Sequence, residues 1–500
     1  MPQHHLTAPR GAEMAPRSHF VQGRFGRMFR NLPSFEPDDA DLVALAADML
    51  EAKDPGGEGG EEDEGLDGPI PAGFTYLGQF IDHDITFDPV STLQRLNDPD
   101  GLHDFRTPRF DLDSLYGDGP NNNPFIYDSR IDDGRTSFLI GANAAGELDL
   151  PRNRLPDADG LAQGRALIGD PRNDENVIVG QLHLLFLLFH NKVVDFVRTK
   201  EPAMDSQHLF DEAQRLVRWH YQWVVAHDFL RRIVGQDVLD DILFDDQYQA
   251  GHGSTKTRIK RIHLQFYRWE REPFMPVEFS VAAYRFGHSM IRPDYFLNSR
   301  TPEIPIFTSG ALTEEHQDLR GFRPLASQWT IDWSFFFETG DPGNLQHARN
   351  IDSKLAEPLN DVPATNLPHA LAERNLKRGR ILGLPSGQRV ARAMCIDPLT
   401  DEELDIVRFS PVFTESAPLW FYILKEAELA GTGTLGKVGG RIVAEVLLGL
   451  MKGDPFSYIR VEPCWRPGFE QEMDDFTMGD LIEFTLGRGE TPPAAAYAGS

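Results

Sequence analysis

The apolar run over residues 177–197 sets the first limit on what this chain can become. It continues as a helical pattern to Lys200, the longest in the sequence, and follows Asp170-Pro171, a pair suited to a helix start with proline in the first turn. Gln181, His183, His190, Asn191 and Asp195 interrupt it, and its unbroken apolar core, residues 184–189, is far shorter than the roughly 20 residues of a membrane span. The pattern therefore predicts a buried helix in a water-soluble protein, with no membrane span. Further helical patterns cover residues 39–52, 211–229, 277–291, 419–430 and 442–451, whereas alternating strand patterns are short, as at 138–141. Clusters of Pro, Gly, Asn and Asp, such as 120–124, separate the helices. The expected fold class is mainly α: a single large domain with long irregular loops and little β.

The boundaries read as follows. Residues 1–20 are expected to form a flexible arm, 21–488 the domain and 489–500 a flexible Pro/Ala/Gly tail, with an acidic, Gly-rich loop at 54–68. No internal repeat appears. The 49 basic and 77 acidic residues give a net charge of −28, which repels nucleic acid and anionic membrane, so neither is an expected partner. Only Cys395 and Cys464 are present, so one disulfide is the maximum. The N-terminal residues lack a basic segment followed by an apolar core, so no secretory signal is expected, and the location stays open between cytoplasm and leaderless secretion.

Four clusters combine the residue types that chemistry needs. Residues 78–84 (GQFIDHD) place Gln79, Asp82, His83 and Asp84 inside an apolar stretch; on a helix, Gln79 and His83 share a face. Burying such groups costs solvation energy. In the segment 107–113, Thr107, Asp111 and Asp113 with loop carbonyls make an oxygen-rich set suited to Ca²⁺. Arg172 and Glu175 stand three apart ahead of the long helix, and Arg285 and His288 do so within the 277–291 pattern. Taken singly, each has an ordinary explanation: a hydrogen-bonded core histidine, a solvated turn, a surface ion pair. Residues 431–436 (GTGTLG) fit a dinucleotide-binding pattern, but a helix pattern precedes them where a strand is required, so they are expected to end a helix.

Together, and in this order, the clusters resemble the animal-type haem peroxidases of the peroxidase–cyclooxygenase superfamily, over roughly residues 70–455. Residues 78–84 look like that family's distal-histidine motif, 107–117 its calcium loop, 169–175 (GDPRNDE) its distal-arginine segment, Arg285 to His288 (RFGH) its proximal-histidine motif, and 375–380 (NLKRGR) followed by Gly383-Leu384-Pro385 the segment whose asparagine supports the proximal histidine. The resemblance implies haem b with His288 on the iron and Asn375 accepting from the other ring nitrogen. It implies His83 as distal base, Arg172 stabilising charge as the O–O bond breaks, and Gln79 positioning water or halide. Arg285 and Arg378 are expected beside the haem, with Arg378 on a propionate. Asp84, Thr107, Arg109 (by its carbonyl), Asp111 and Asp113 are expected to hold Ca²⁺, and Asp82 and Glu175 to form ester bonds to the haem. The implied activity is peroxidation by hydrogen peroxide of phenolic or aromatic donors, or of halides or thiocyanate, through an oxoferryl species. Two other functions are weighed beside it: a fatty-acid dioxygenase of the same superfamily, and a non-catalytic calcium-stabilised haem-binding or adhesion module.

Departures from the family pattern bear on these expectations. Asn176 stands where one mammalian member carries a methionine that makes a third haem link, so no such link is expected. Ile381-Leu382 replace the usual Asp-His before Gly-Leu-Pro. The oxygenases carry a radical tyrosine three residues before the proximal histidine; that position is Arg285, and Tyr284 is expected to face another side of its helix. The disulfides of mammalian members are absent, which suggests a bacterial-type member.

Overall fold

The long apolar run forms the α-helix Val177–Lys200, 24 residues long. Among the described residues it is the one helix long and apolar enough to cross a membrane, yet 83% of its most apolar window is buried inside the protein. Two of its polar interruptions, His190 and Asn191, tie loops to it. His190 pairs through Nδ1 with the Tyr116 hydroxyl at 3.0 Å and through Nε2 with the Thr136 carbonyl at 2.8 Å. Asn191 accepts from the Phe138 N–H at 2.7 Å and donates to its carbonyl at 3.0 Å, as a neighbouring strand would. Buried polar groups paired in this way avoid the desolvation penalty.

The computed structural model describes residues 23–51, 65–87, 103–153, 164–248, 257–308, 316–339, 344–363, 368–469 and 473–487. The arm at 1–20, most of the acidic loop at 54–68 and the tail at 489–500 lie outside them. Around Val177–Lys200 pack the helices Gly73–Ile85, Ser206–Val224 and Met478–Leu486. Leu419–Ala430 and Lys437–Gly453 pack against each other and against the segment that carries His288. Buried apolar side chains from Phe25 to Ile482 make one connected core. The β content is small: a sheet in which Gly23–Gly26 pairs antiparallel with His103–Asp104 and parallel with Met275–Pro276, the hairpin Leu243–Tyr248 with Thr257–Ile262, and two- or three-residue pairings elsewhere. The mainly α expectation holds.

Local differences have physical causes. Asn176 caps the long helix, its Oδ1 accepting from the Ile178 N–H at 2.8 Å, while Asp170 caps a separate 3-10 turn, Pro171–Asp174. The first helix ends at Asp48, short of residue 52. Residues 211–229 form Ser206–Val224 and then a π-helical turn, Val225–Phe229. At 138–141 the strand shrinks to an isolated bridge between Phe138 and Tyr127 and the pair Gly141–Ala142. Gly431 closes Leu419–Ala430 at φ +62, so the glycine-rich stretch ends a helix as expected.

The largest difference lies at 277–291, which is no α-helix. It winds as a π-helical turn, Glu278–Ala282, and then a 3-10 helix, Ala283–His288. The buried Glu278 carboxylate accepts from the N–H groups of Met28 and Phe29 at 2.9 and 3.0 Å, anchoring the turn from outside. Arg285 Nε donates back to the Ser280 carbonyl at 2.9 Å, and Trp420 Nε1 donates to the Arg285 carbonyl at 3.2 Å. In a 3-10 helix residues three apart eclipse, so Arg285 and His288 lie on one face more nearly than they would on an α-helix.

Candidate active site

A cavity of about 660 Å³ opens between the helix Gly73–Ile85 and the 3-10 helix Ala283–His288. Its size falls within the roughly 300–1,000 Å³ of cofactor and ligand sites. Gln79, Asp82 and His83 line it from one side together with Glu175, and Arg285 and His288 from the other. Gly73 lets the helix Gly73–Ile85 start close beneath a loop. Its N–H donates to the Phe336 carbonyl at 2.9 Å, and a Cβ there would sit 2.5 Å from that same oxygen.

His83 is 5% exposed, and its Nδ1 lies 2.7 Å from Oδ1 of Asn173. The Asn173 amide nitrogen is committed to Nδ1 of His183 at 2.9 Å, which fixes the carboxamide with its oxygen towards His83. An oxygen can only accept, so His83 carries its proton on Nδ1 and leaves Nε2 basic. Nε2 lies 3.5 Å from Oε1 of Glu175, and that oxygen also accepts from Gln79 Nε2 at 2.5 Å. Burial, and then the Arg172 charge, hold the His83 pKa below its ordinary value, so the ring is neutral. Asn173 and His183 were not singled out in the sequence; Asn173 lies inside the 169–175 motif, but only the fold shows what it orients.

His288 is also held neutral, pushed down to about 3 by burial and then by Arg285. A neutral imidazole is the form that ligates a metal. Nδ2 of Asn375 stands 2.7 Å from its Nδ1. The two residues meet as expected, but with the amide nitrogen towards the ring; the expected Nδ1–H to Oδ1 bond requires the carboxamide turned end for end.

Three expected placements change. Tyr284 lines the cavity, its hydroxyl donating to the Gly78 carbonyl at 3.2 Å, because the π and 3-10 winding replaces the helix assumed for it. Arg172 is not a cavity-lining residue. Its Nη2 donates to the His83 carbonyl at 2.8 Å and to Oδ2 of Asp170 at 2.8 Å, and its guanidinium lies over the Phe87 ring, 4.5 Å from the centroid. Arg378 likewise does not line the cavity, whereas Arg374, one turn earlier on Leu371–Ile381, does. Arg285 stands 4.0 Å from the Asp82 carboxylate, and Asp82 accepts from Thr86 Oγ1 at 3.1 Å.

Behind the helix Gly73–Ile85, the carboxylates of Asp84, Asp111 and Asp113 converge with oxygens within 4.8 Å of one another. Oδ1 of the buried Asp84 has no hydrogen-bond partner. Burial, then Asp111 and Asp113, push its pKa well above the usual carboxylate range. Thr107 Oγ1 donates to Asp111 at 2.7 Å, and the Arg109 N–H closes the same turn on the Thr107 carbonyl at 2.7 Å. Such mutual repulsion is what a bound divalent cation removes.

A loop absent from the sequence reading completes the wall. Arg320, Gly321, Phe322 and Arg323 line the cavity. Gly321 N–H donates to the Glu175 carbonyl at 2.9 Å and Phe322 N–H to that of Asp174 at 2.6 Å. A Cβ on Gly321 would lie 1.8 Å from the Asp174 oxygen, so only glycine lets the loop seat there. Phe322 takes φ +57, a left-handed conformation costing roughly 1–2 kcal/mol for a residue with a side chain.

Residues 104–483 match the family model for animal haem peroxidase. The chain belongs to the animal haem peroxidase family. It is similar to human eosinophil peroxidase, 26% identical over 49% of this chain and 32% of that protein, and to human thyroid peroxidase, 26% identical over 48% of this chain and 24% of that one. The match therefore spans about a third of these curated relatives or less. Among solved structures, peroxidase A from Dictyostelium discoideum superposes with a TM-score of 0.62 at 16% identity, covering 96% of this chain and 97% of that one. A fatty acid alpha-dioxygenase from Arabidopsis thaliana gives a TM-score of 0.55 at 15% identity, over 93% and 79%. At these identities the likeness is one of fold.

Proposed function

We propose that this protein is a haem peroxidase that uses hydrogen peroxide to oxidise small electron donors. The observation that carries the reading is the pair of neutral histidines on one cavity: His83 with its basic Nε2 fixed by Asn173, and His288 backed by Asn375. The cavity suits haem, since apolar Phe74, Phe286, Met290 and Ile291 line it along with Arg285 and Arg374, which can pair with carboxylates. His288 would hold the haem, which would supply the redox-active iron. The chain's own residues manage the proton. Nε2 of His83 takes it from peroxide and returns it to the departing oxygen, which leaves as water. Gln79 and Glu175, linked to each other, confine the small molecule beside that nitrogen. Arg172 lends positive potential from behind the ring through the His83 carbonyl, and the cavity-lining Arg285 and Arg374 are assigned to the haem carboxylates. Stopped-flow absorption with peroxide, followed by bromide, iodide, thiocyanate and a phenol, tests the reading; a holoprotein inert to peroxide would end it.

Asp82 and Glu175 both line the cavity, which supports ester links to haem methyl groups formed in the presence of peroxide. Acid–acetone extraction of peroxide-treated protein is expected to leave haem on the polypeptide, and complete extraction would remove the idea. Asp84, Thr107, Arg109, Asp111 and Asp113 are assigned to Ca²⁺. Saturating calcium at about a hundred times its Kd adds about 2.7 kcal/mol of stability. A chelator is therefore expected to lower the melting temperature, and added Ca²⁺ to restore it. Melting unaffected by both treatments would leave the carboxylates without their ion.

A fatty-acid dioxygenase is the second reading, favoured by Tyr284 on the cavity wall. Oxygen uptake with linoleate and no peroxide distinguishes it. A non-catalytic haem-binding module, the third, requires that the His83–Asn173 arrangement serve no reaction.

A further inference from the structure

A buried arginine stands between the carboxylate cluster of Asp84, Asp111 and Asp113 and the back of His83. The Arg106 side chain is 14% exposed, and its Nη1 lies 3.1 Å from Oδ1 of Asp113. Its Nη2 pairs with Oδ2 of Asp170. That oxygen also accepts from Nη2 of Arg172 at 2.8 Å, and the same Arg172 nitrogen donates to the His83 carbonyl at 2.8 Å. The backbone of Arg106 is fixed as well. Oδ1 of the buried Asp104 accepts from the Arg106 N–H at 3.2 Å and from the N–H of Phe87, just past the helix Gly73–Ile85, at 2.8 Å. These contacts close into a ring. Asp84 follows His83 directly, and its carboxylate meets that of Asp113 in the cluster. From Asp113 the ring runs through Arg106, Asp170 and Arg172 to the His83 carbonyl, and one peptide later it is back at Asp84. Charged contacts held away from bulk water are strong and weakly screened by salt. A divalent cation among Asp84, Asp111 and Asp113 changes one link of the ring. It takes up the Asp113 oxygen that faces Arg106 and repels the guanidinium towards Asp170. Asp170, paired more fully by Arg106, then holds Arg172 less closely, and more of the Arg172 charge is felt at the turn that carries His83.

We propose that Arg106 is a positioning residue that couples Ca²⁺ at the carboxylate cluster to anion binding beside His83. The inference rests on the calcium and haem assignments and goes beyond them, because it gives the coupling to one side chain. The planar guanidinium faces two carboxylates at once in fixed directions, which a single ammonium does not reproduce. The field of the ion acting through space needs no Arg106, so substitution separates the two origins.

Cyanide gives up its proton and binds ferric haem as an anion. It is titrated into the holoprotein with and without Ca²⁺, and Ca²⁺ binding is measured by calorimetry with and without cyanide. In the wild type Ca²⁺ is expected to tighten cyanide about tenfold, within the roughly 5–150-fold typical of coupled sites, and cyanide to tighten Ca²⁺ by the same factor. Arg106→Met is expected to bring both ratios close to one while each ligand still binds. Arg106→Lys keeps the charge but not the two-sided contact, and its ratio is expected to fall short of the wild type; it decides the matter if the methionine variant does not fold, which melting curves show. A merely structural Arg106 would lower the melting temperature and leave the ratio unchanged. A ratio of one in the wild type, or a ratio that survives both substitutions, overturns the proposal, and normal Ca²⁺ binding in that case leaves the calcium assignment standing. A holoprotein that binds no Ca²⁺ overturns both. Peroxide turnover is read separately: a calcium-linked cyanide affinity without turnover removes the peroxidase reading and leaves Arg106 in its role.

Discussion

Replacing His83 with alanine is expected to slow the reaction with hydrogen peroxide by about two to four orders of magnitude while haem stays bound. The separation follows from geometry. His83 and His288 stand on different elements, the helix Gly73–Ile85 and the 3-10 helix Ala283–His288, and only the second is assigned to the metal. The loss should be specific to proton transfer, because the neighbours that fix His83 remain: Asn173 keeps its bond to His183, and Gln79 keeps its bond to Glu175. Stopped-flow rates of the peroxide-induced spectral change, beside the haem content of the purified variant, make the check. A variant with wild-type rates would show that His83 is not the base. A variant that loses its haem would assign the residue to holding the cofactor.

A second large effect is expected from Asp170→Asn. Asp170 is 1% exposed and pairs with two arginines, Arg106 and, at 2.8 Å, Arg172; its Oδ1 also accepts from the Arg172 N–H at 2.9 Å. Removing one member of a buried ion pair leaves the other charge unpaired and costs about 3–5 kcal/mol. Burial alone would raise the Asp170 pKa, but the Arg172 and Arg106 charges outweigh it and hold the carboxyl far below its usual range. A depressed carboxylate pKa contributes stability that is complete above the unfolded-state value near 4 and is lost as pH falls towards the folded-state value. The gap between wild type and Asp170→Asn in urea unfolding should therefore be full at pH 7 and narrow on acidification below about pH 4. A gap that is absent at pH 7, or that widens in acid, would contradict this account. Because Arg172 also holds the His83 carbonyl, the variant is expected to lose peroxide reactivity together with stability.

The sequence by itself determined which residues would be costly to bury and therefore need partners. Spacing placed Gln79, Asp82 and His83 where one helix presents them to a cavity, since an α-helix repeats every 3.6 residues and residues 73–85 follow that period. Acidic residues two apart in the segment 107–113 marked the turn that brings Asp111 and Asp113 to Asp84. The long apolar run marked its own burial, because a polar residue every few positions is affordable only with partners inside a fold.

Only the tertiary structure decided the rest, for one physical reason: these features depend on contacts between segments distant in the chain. Glu278 anchors its turn on Met28 and Phe29, about 250 residues away, and that anchored turn winds as π and 3-10 helix, turning Tyr284 into the cavity against its expected α-helical direction. Asn173 sets the His83 tautomer only because the start of the long helix brings His183 to its other end. Arg172 turns away from the cavity wall because its Nη2 reaches the His83 carbonyl, 89 residues earlier, and Arg374 reaches the wall in place of Arg378 because of how Leu371–Ile381 is set against the core. The loop of Arg320 to Arg323 had no periodic signal at all. It exists because backbone N–H groups of Gly321 and Phe322 meet the carbonyls of Glu175 and Asp174, a pairing no local pattern encodes.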